Sequence, residues 1–82
     1  SYVVARFLES HDEVKDGKTY ILVTSTEGIV YKRVYNSVKK DGTLDLHSDN
    51  KSYAPYKVPV TEMLELWEFT CLIDTQEYAE AR

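Results

Sequence analysis

One cysteine, one methionine, one tryptophan, two prolines and three glycines are spread over 82 residues. Cys71 has no partner for an internal disulfide, so no covalent staple is available and a reducing compartment is the expected setting. No apolar run approaches the roughly 18 residues that a membrane-spanning helix requires, and no charged-then-apolar leader pattern opens the chain. A cytoplasmic, bacterial-type protein without a membrane partner is therefore expected. Clustered positive charge is also missing. Ten Lys and Arg against 14 Asp and Glu give a net charge of −4, and the densest basic pair, Lys39-Lys40, runs straight into Asp41-Gly42. Phosphate backbones are held by clustered positive charge, so this segment is not expected to grip DNA itself. Two histidines far apart and one cysteine make no zinc-type ligand spacing, and no metal or cofactor is expected.

What the chain does have is β-branched and aromatic residues, including seven tyrosines, in short runs bounded by turn signals. Tyr2 to Leu8 reads as a strand, and Asp16-Gly17 marks a turn before a second strand from Lys18 to Ser25. Glu27-Gly28 connects it to Ile29 through Tyr35, and two such runs with a short glycine-containing connector predict a hairpin. Lys39 to Gly42 is the next turn. Leu44 and Leu46 then alternate with polar residues, the period of a strand with one face buried. A polar loop from Asp49 to Tyr56 follows, then an extended stretch to Val60 in which Pro59 cannot donate a ladder hydrogen bond and belongs at an edge or strand end. Glu62 to Ile73 carries both helical and strand signals; a closing strand from about Leu64 is the choice that completes an all-β core. Thr75 to Arg82 is compatible with a short C-terminal helix capped by Asp74 or Thr75.

Two stretches in this order carry a resemblance. Lys15-Asp16-Gly17-Lys18-Thr19-Tyr20-Ile21-Leu22-Val23 with Gly28-Ile29-Val30-Tyr31-Lys32-Arg33-Val34 is similar to the hairpin of LexA-like, phage-repressor-type transcriptional regulators. Leu46-His47-Ser48-Asp49-Asn50-Lys51-Ser52-Tyr53-Ala54-Pro55 resembles the family's Leu-x-Ser-Asp-Asn segment, and Leu66 to Ile73 occupies the place of its last strand. The match runs from Tyr2 to Ile73; Trp67 lacks the glycine neighbour that family members often show. The resemblance implies a small, mostly-β, signal-peptidase-like domain of hairpins forming a partly open barrel. It further implies that residues 1–82 are one partial domain, the C-terminal regulatory and dimerisation part of a repressor whose helix-turn-helix DNA-binding domain lies elsewhere in a longer protein. Such proteins cleave themselves with a Ser-Lys dyad. The family's serine sits in a Gly-Asp-Ser-Met type motif upstream of the strand matched by Tyr2 to Phe7, and that motif is not among these residues. This fragment alone is expected to be inactive.

By the same resemblance Lys32 is the general base. A lysine takes a proton only when its amine is neutral, and an apolar site favours the neutral form. Val30, Lys32 and Val34 share one strand face, which suits a desolvated lysine; the plain alternative is a solvent-facing one. Ser25, Ser37, Ser48 and Ser52 have no recognisable activating context, and Ser48 before Asp49-Asn50 reads as part of a hydrogen-bonded turn. His11 with Asp12 and Glu13, and His47 with Asp49, read as exposed loop polars. Tyr53 and Tyr56 around Pro55 read as packing of the loop onto the sheet, and Trp67 with Phe69 as core or dimer contact. The expected partners are a second copy of the chain, DNA only through the other domain, and a damage-signal activator such as a recombinase filament. The alternative of a different class is a non-enzymatic β module for oligomerisation or protein interaction.

Overall fold

The computed structural model describes residues 2–73, and the helix expected from Thr75 to Arg82 lies outside them. Six strands form one antiparallel sheet: β1 (Tyr2–Leu8), β2 (Lys18–Thr24), β3 (Gly28–Ser37), β4 (Thr43–His47), β5 (Tyr56–Pro59) and β6 (Met63–Ile73). Their order across the sheet is β1-β6-β2-β3-β4-β5. Consecutive hairpins join β2 through β5, while β6 returns across the whole chain to insert between β1 and β2. The sheet does not close on itself, so β1 and β5 are free edges of a partly open barrel. Pro59 ends β5, the edge strand, where its missing N–H costs no ladder bond.

The β2–β3 hairpin has the three-residue loop that a left-handed glycine permits. Thr24 pairs with Gly28, whose φ is 76°, and the buried Thr24 hydroxyl accepts from Glu27 N–H at 2.9 Å. The β3–β4 connection tightens into a single helical turn, Val38–Asp41, closed by Gly42 at φ 77° with its N–H on the Val38 carbonyl at 2.9 Å. A Cβ at Gly42 meets nothing within 4 Å, so only the backbone opposes a side chain there. Gly42→Ala is accordingly expected to cost about 1 kcal/mol in urea denaturation, the penalty of a left-handed non-glycine residue.

Between Leu8 and Lys18 the chain makes a short 3₁₀ turn, His11–Glu13. The strand-by-strand reading passed over it, although Ser10-x-x-Glu13 is a capping-box pattern: Ser10 Oγ accepts from Asp12 N–H, and Glu13 reaches back to the N–H of Ser10 and Glu9. The ambiguous stretch before Leu64 resolves into a 3₁₀ turn at Val60–Glu62 followed directly by β6. Between Val23 and Thr24 the pairing with β6 slips by one, from Glu65 to Met63, and leaves Leu64 of β6 as the extra residue of a bulge.

All the apolar weight of the inner face meets in one core. Leu8, Tyr20, Leu22, Val34, Leu44, Leu46, Val58 and Leu66 are buried, with Val14 from the β1–β2 connection. The strand registers place them in rows, Leu8 beside Leu66 beside Leu22, and Val34 beside Leu46. The opposite, outer face is also apolar, and among the described residues nothing covers it.

Candidate functional site

Lys32 lies on the inner face with Val30 and Val34, the desolvated one of the two readings its strand position left open, and is half-buried beside the core. Its register partner on β2 is Tyr20, which pairs in turn with Glu68 on β6, and Glu68 with Arg6 on β1. A row of polar side chains therefore crosses an otherwise apolar face, each with its own partner. The Tyr20 hydroxyl is buried and accepts from Lys15 N–H at 2.8 Å, and burial pushes its pKa up. Arg6 bridges Glu68 at 3.1 Å and Glu13 at 3.3 Å.

The Lys32 amine donates to Ser48 Oγ at 2.7 Å. The Tyr56 ring lies under it, its centroid 5.9 Å from Nζ, and that ring is tied down by its hydroxyl donating to Glu27 at 2.9 Å. Burial first, and then the Glu27 carboxylate, raise the Tyr56 pKa to about 12, so the phenol remains neutral at any physiological pH. Among the described residues no carboxylate forms an ion pair with Lys32. The amine is thus held by a neutral hydroxyl over a neutral ring, on the edge of an apolar core.

Ser48 is the residue that the sequence reading misplaced. The turn after β4 is made instead by Asn50, whose side chain accepts from Ser52 N–H at 2.9 Å and whose carbonyl accepts from Tyr53 N–H at 3.2 Å. The signal lay in the hairpin register. A β3–β4 hairpin centred on Lys40 sets Ser48 opposite Lys32, but one centred half a residue later sets Asp49 there and turns Ser48 to the other face. The observed Arg33–His47 pair decides for the first.

Other expected residues fall elsewhere. Asp49 is bound by Arg33, through Nε at 3.0 Å and an Nη at 3.2 Å, and this guanidinium holds the Asp49 carboxyl below its ordinary range. His47 packs edge-on against Tyr35 at 4.8 Å, and His11 sits 3.4 Å from Asp12. Ser37 donates to Asp45 at 3.1 Å. Tyr53 is exposed while Tyr56 packs against the core, so the two tyrosines of the loop do different things. Trp67 and Phe69 share a face as expected, but it is the outer one: Trp67 stacks edge-on with Phe7 at 5.1 Å and Phe69 with Tyr31 at 5.5 Å.

At the β4–β5 edge, Lys57 lies 2.9 Å from Asp41 and 3.1 Å from Asp45. Hydrogen bonds from Thr43 and then Lys57 lower the Asp41 pKa to about 2 from an ordinary value of 3.8. A depressed carboxylate stabilises the fold above its unfolded pKa and loses that contribution as pH falls through the folded one. The urea midpoint is expected to fall between about pH 4 and pH 2, and Asp41→Asn to flatten that part of the profile. An unchanged slope in the variant would remove Asp41 as the cause.

Comparisons with profiles of known families, with curated proteins and with solved structures found no match. Among the described residues no helix is long and apolar enough to cross a membrane.

Proposed function

We propose that this chain is the C-terminal regulatory and self-association domain of a LexA-like, phage-type repressor, in which Lys32 is the general base of Ser-Lys self-cleavage. The observation that carries it is the Lys32 amine, projecting from the inner face toward a neutral hydroxyl, with no carboxylate among the described residues paired to it. A carboxylate partner would favour the charged amine and disable it as a base. The order of the Lys-Arg hairpin and the Ser-Asp-Asn segment along the chain supports the same reading.

In this mechanism a serine on the segment preceding Tyr2 in the longer protein approaches the inner face. Neutral Lys32 takes its hydroxyl proton, and the oxygen attacks a linker peptide carbonyl. The C–N bond breaks, the leaving amine takes the proton back from Lys32, and water hydrolyses the resulting ester. DNA is bound by the separate N-terminal domain, in the cytoplasm, and a damage-signalled activator would release the linker for cutting. The test is mass spectrometry of the longer protein on incubation. One self-inflicted cut N-terminal to Tyr2, at a rate independent of protein concentration, is expected; an intact mass throughout would sink the peptidase reading.

The outer face supports the self-association half. Val3, Phe7, Ile29 and Tyr31 are exposed there, and Ile21, Val23, Trp67 and Phe69 are half-covered. Together they leave on the order of 600 Å² of apolar surface, taking large side chains at about 150–250 Å² each. That is the upper end of what a monomer shows and most of the ~800 Å² per partner that a specific interface buries. A second copy, packing sheet face on sheet face, matches this area. Sedimentation should show a dimer that Ile29→Glu weakens at least tenfold, since a charge within that face would be buried unpaired. A monomer at all concentrations would exclude this face as a homotypic interface.

A further inference from the structure

Two dipeptides, 16 residues apart, face each other where β4 ends. Lys32 donates to Ser48 at 2.7 Å, and the next residue, Arg33, grips both oxygens of Asp49 while a further Nη reaches the Gly17 carbonyl. Successive side chains of a strand point to opposite faces. The Ser48-Asp49 segment is therefore clamped from both sides of the sheet, with Ser48 on the inner face and Asp49 on the outer. A strand end held from one side would fray; one held from two keeps its hydroxyl in place.

The chemistry of a hydroxyl suits what it holds. It has one donor and two acceptor sites, so it accepts from a charged amine and donates to a neutral one. A carboxylate at that point would bind only the ammonium, and an apolar side chain would leave the amine free to rotate. The other titratable groups around Lys32 are already engaged. Tyr20 on β2 accepts from Lys15, Tyr56 on β5 donates to Glu27, and Glu68 on β6 is paired with Arg6 of β1.

We infer that Ser48 is the positioning residue for the Lys32 amine, seated by the Arg33–Asp49 clamp, holding the base in place in both protonation states. Its purpose rests on the Ser-Lys reading; its geometry does not. The two are therefore tested separately.

On this chain with labelled lysine, NMR should resolve two distinct ε-proton signals for Lys32, because the amine is held. Ser48→Ala should merge them and Ser48→Thr should keep them apart. Asp49→Asn, which loosens the clamp and leaves the hydroxyl, should narrow the separation and serves if Ser48→Ala fails to fold. In the longer protein Ser48→Ala should slow self-cleavage at least tenfold at every pH, as a misplaced base does. Ser48→Asp should move the pH midpoint of cleavage up by about one unit or more. Signals that stay resolved in Ser48→Ala, or a cleavage profile that Ser48→Ala leaves unchanged, would overturn the inference. So would labelling of Ser48 itself by a fluorophosphonate, which would make it a nucleophile. A longer protein that never cuts itself, with the ε signals behaving as stated, would reject the peptidase reading and leave the positioning intact.

Discussion

Lys32→Ala is expected to slow self-cleavage of the longer protein about a thousandfold, within the range that a positioned general base contributes. Lys32→Arg should be as damaging, although it keeps the charge and much of the length. A guanidinium does not give up its proton in a protein, so it offers the serine no base. Lys32→Met keeps the apolar stem beside the core and should also be inactive. None of these losses should come from unfolding. The side chain is half-buried at the margin of the core, and its hydrogen bond to Ser48 is worth on the order of 1 kcal/mol net. The urea midpoints of the three variants should therefore stay close to that of the unaltered chain while cleavage disappears. Cleavage by Lys32→Arg at a rate near that of the unaltered chain would remove the lysine from the chemistry.

Leu22→Ala should have the largest effect on stability. Leu22 is fully buried and lies between Val30 on β3 and Leu66 on β6, at the point where the β2–β3 hairpin joins the closing strand. Truncating a buried leucine costs about 2–5 kcal/mol through lost transfer energy and the cavity left behind. For a chain of 82 residues the whole stability is on the order of 4–12 kcal/mol, and no disulfide supplements it. The variant should be extensively unfolded in mild urea, read from the fluorescence of Trp67. The control is Ile29→Ala on the outer face, which is 75% exposed in the single chain and, measured at dilutions where the chain is monomeric, should shift the midpoint by no more than about 0.5 kcal/mol. Equal effects of the two substitutions would mean that the inner and outer faces are wrongly assigned.

The two faces differ in how far the sequence disclosed them. Strand positions followed from turn residues with fixed backbone demands: Gly17, Gly28 and Gly42 all have positive φ, and each lies at a connection the residues had marked. Alternation then placed Val30, Lys32 and Val34 together on one side. It did not say which side is covered, because β2 and β6 carry apolar residues on both of theirs. Ile21, Val23, Trp67 and Phe69 look as core-like in sequence as Leu22 and Leu66, yet they line the outer face. Only the curl of the sheet separates them, and curl is a property of all six strands together. The β6 insertion between β1 and β2 is likewise non-local: no short-range pattern states that Tyr2 pairs opposite Ile73. For the site, the strand position of Lys32 was legible and its contact with Ser48 was not. Their contact depends on a register that a half-residue change in the β3–β4 turn would reverse. The Arg33–Asp49 pair fixes that register, and a pairing across 16 residues leaves no periodic trace.

On the proposed reading Lys32 is the base of self-cleavage. Its most direct test is the rate of self-cleavage of the longer protein as a function of pH, run beside Lys32→Ala. The expected rate rises about tenfold per pH unit and then levels off, with the rise absent from the variant. A pH-independent rate, a rate unchanged in Lys32→Ala, or an uncut protein at every pH would contradict it.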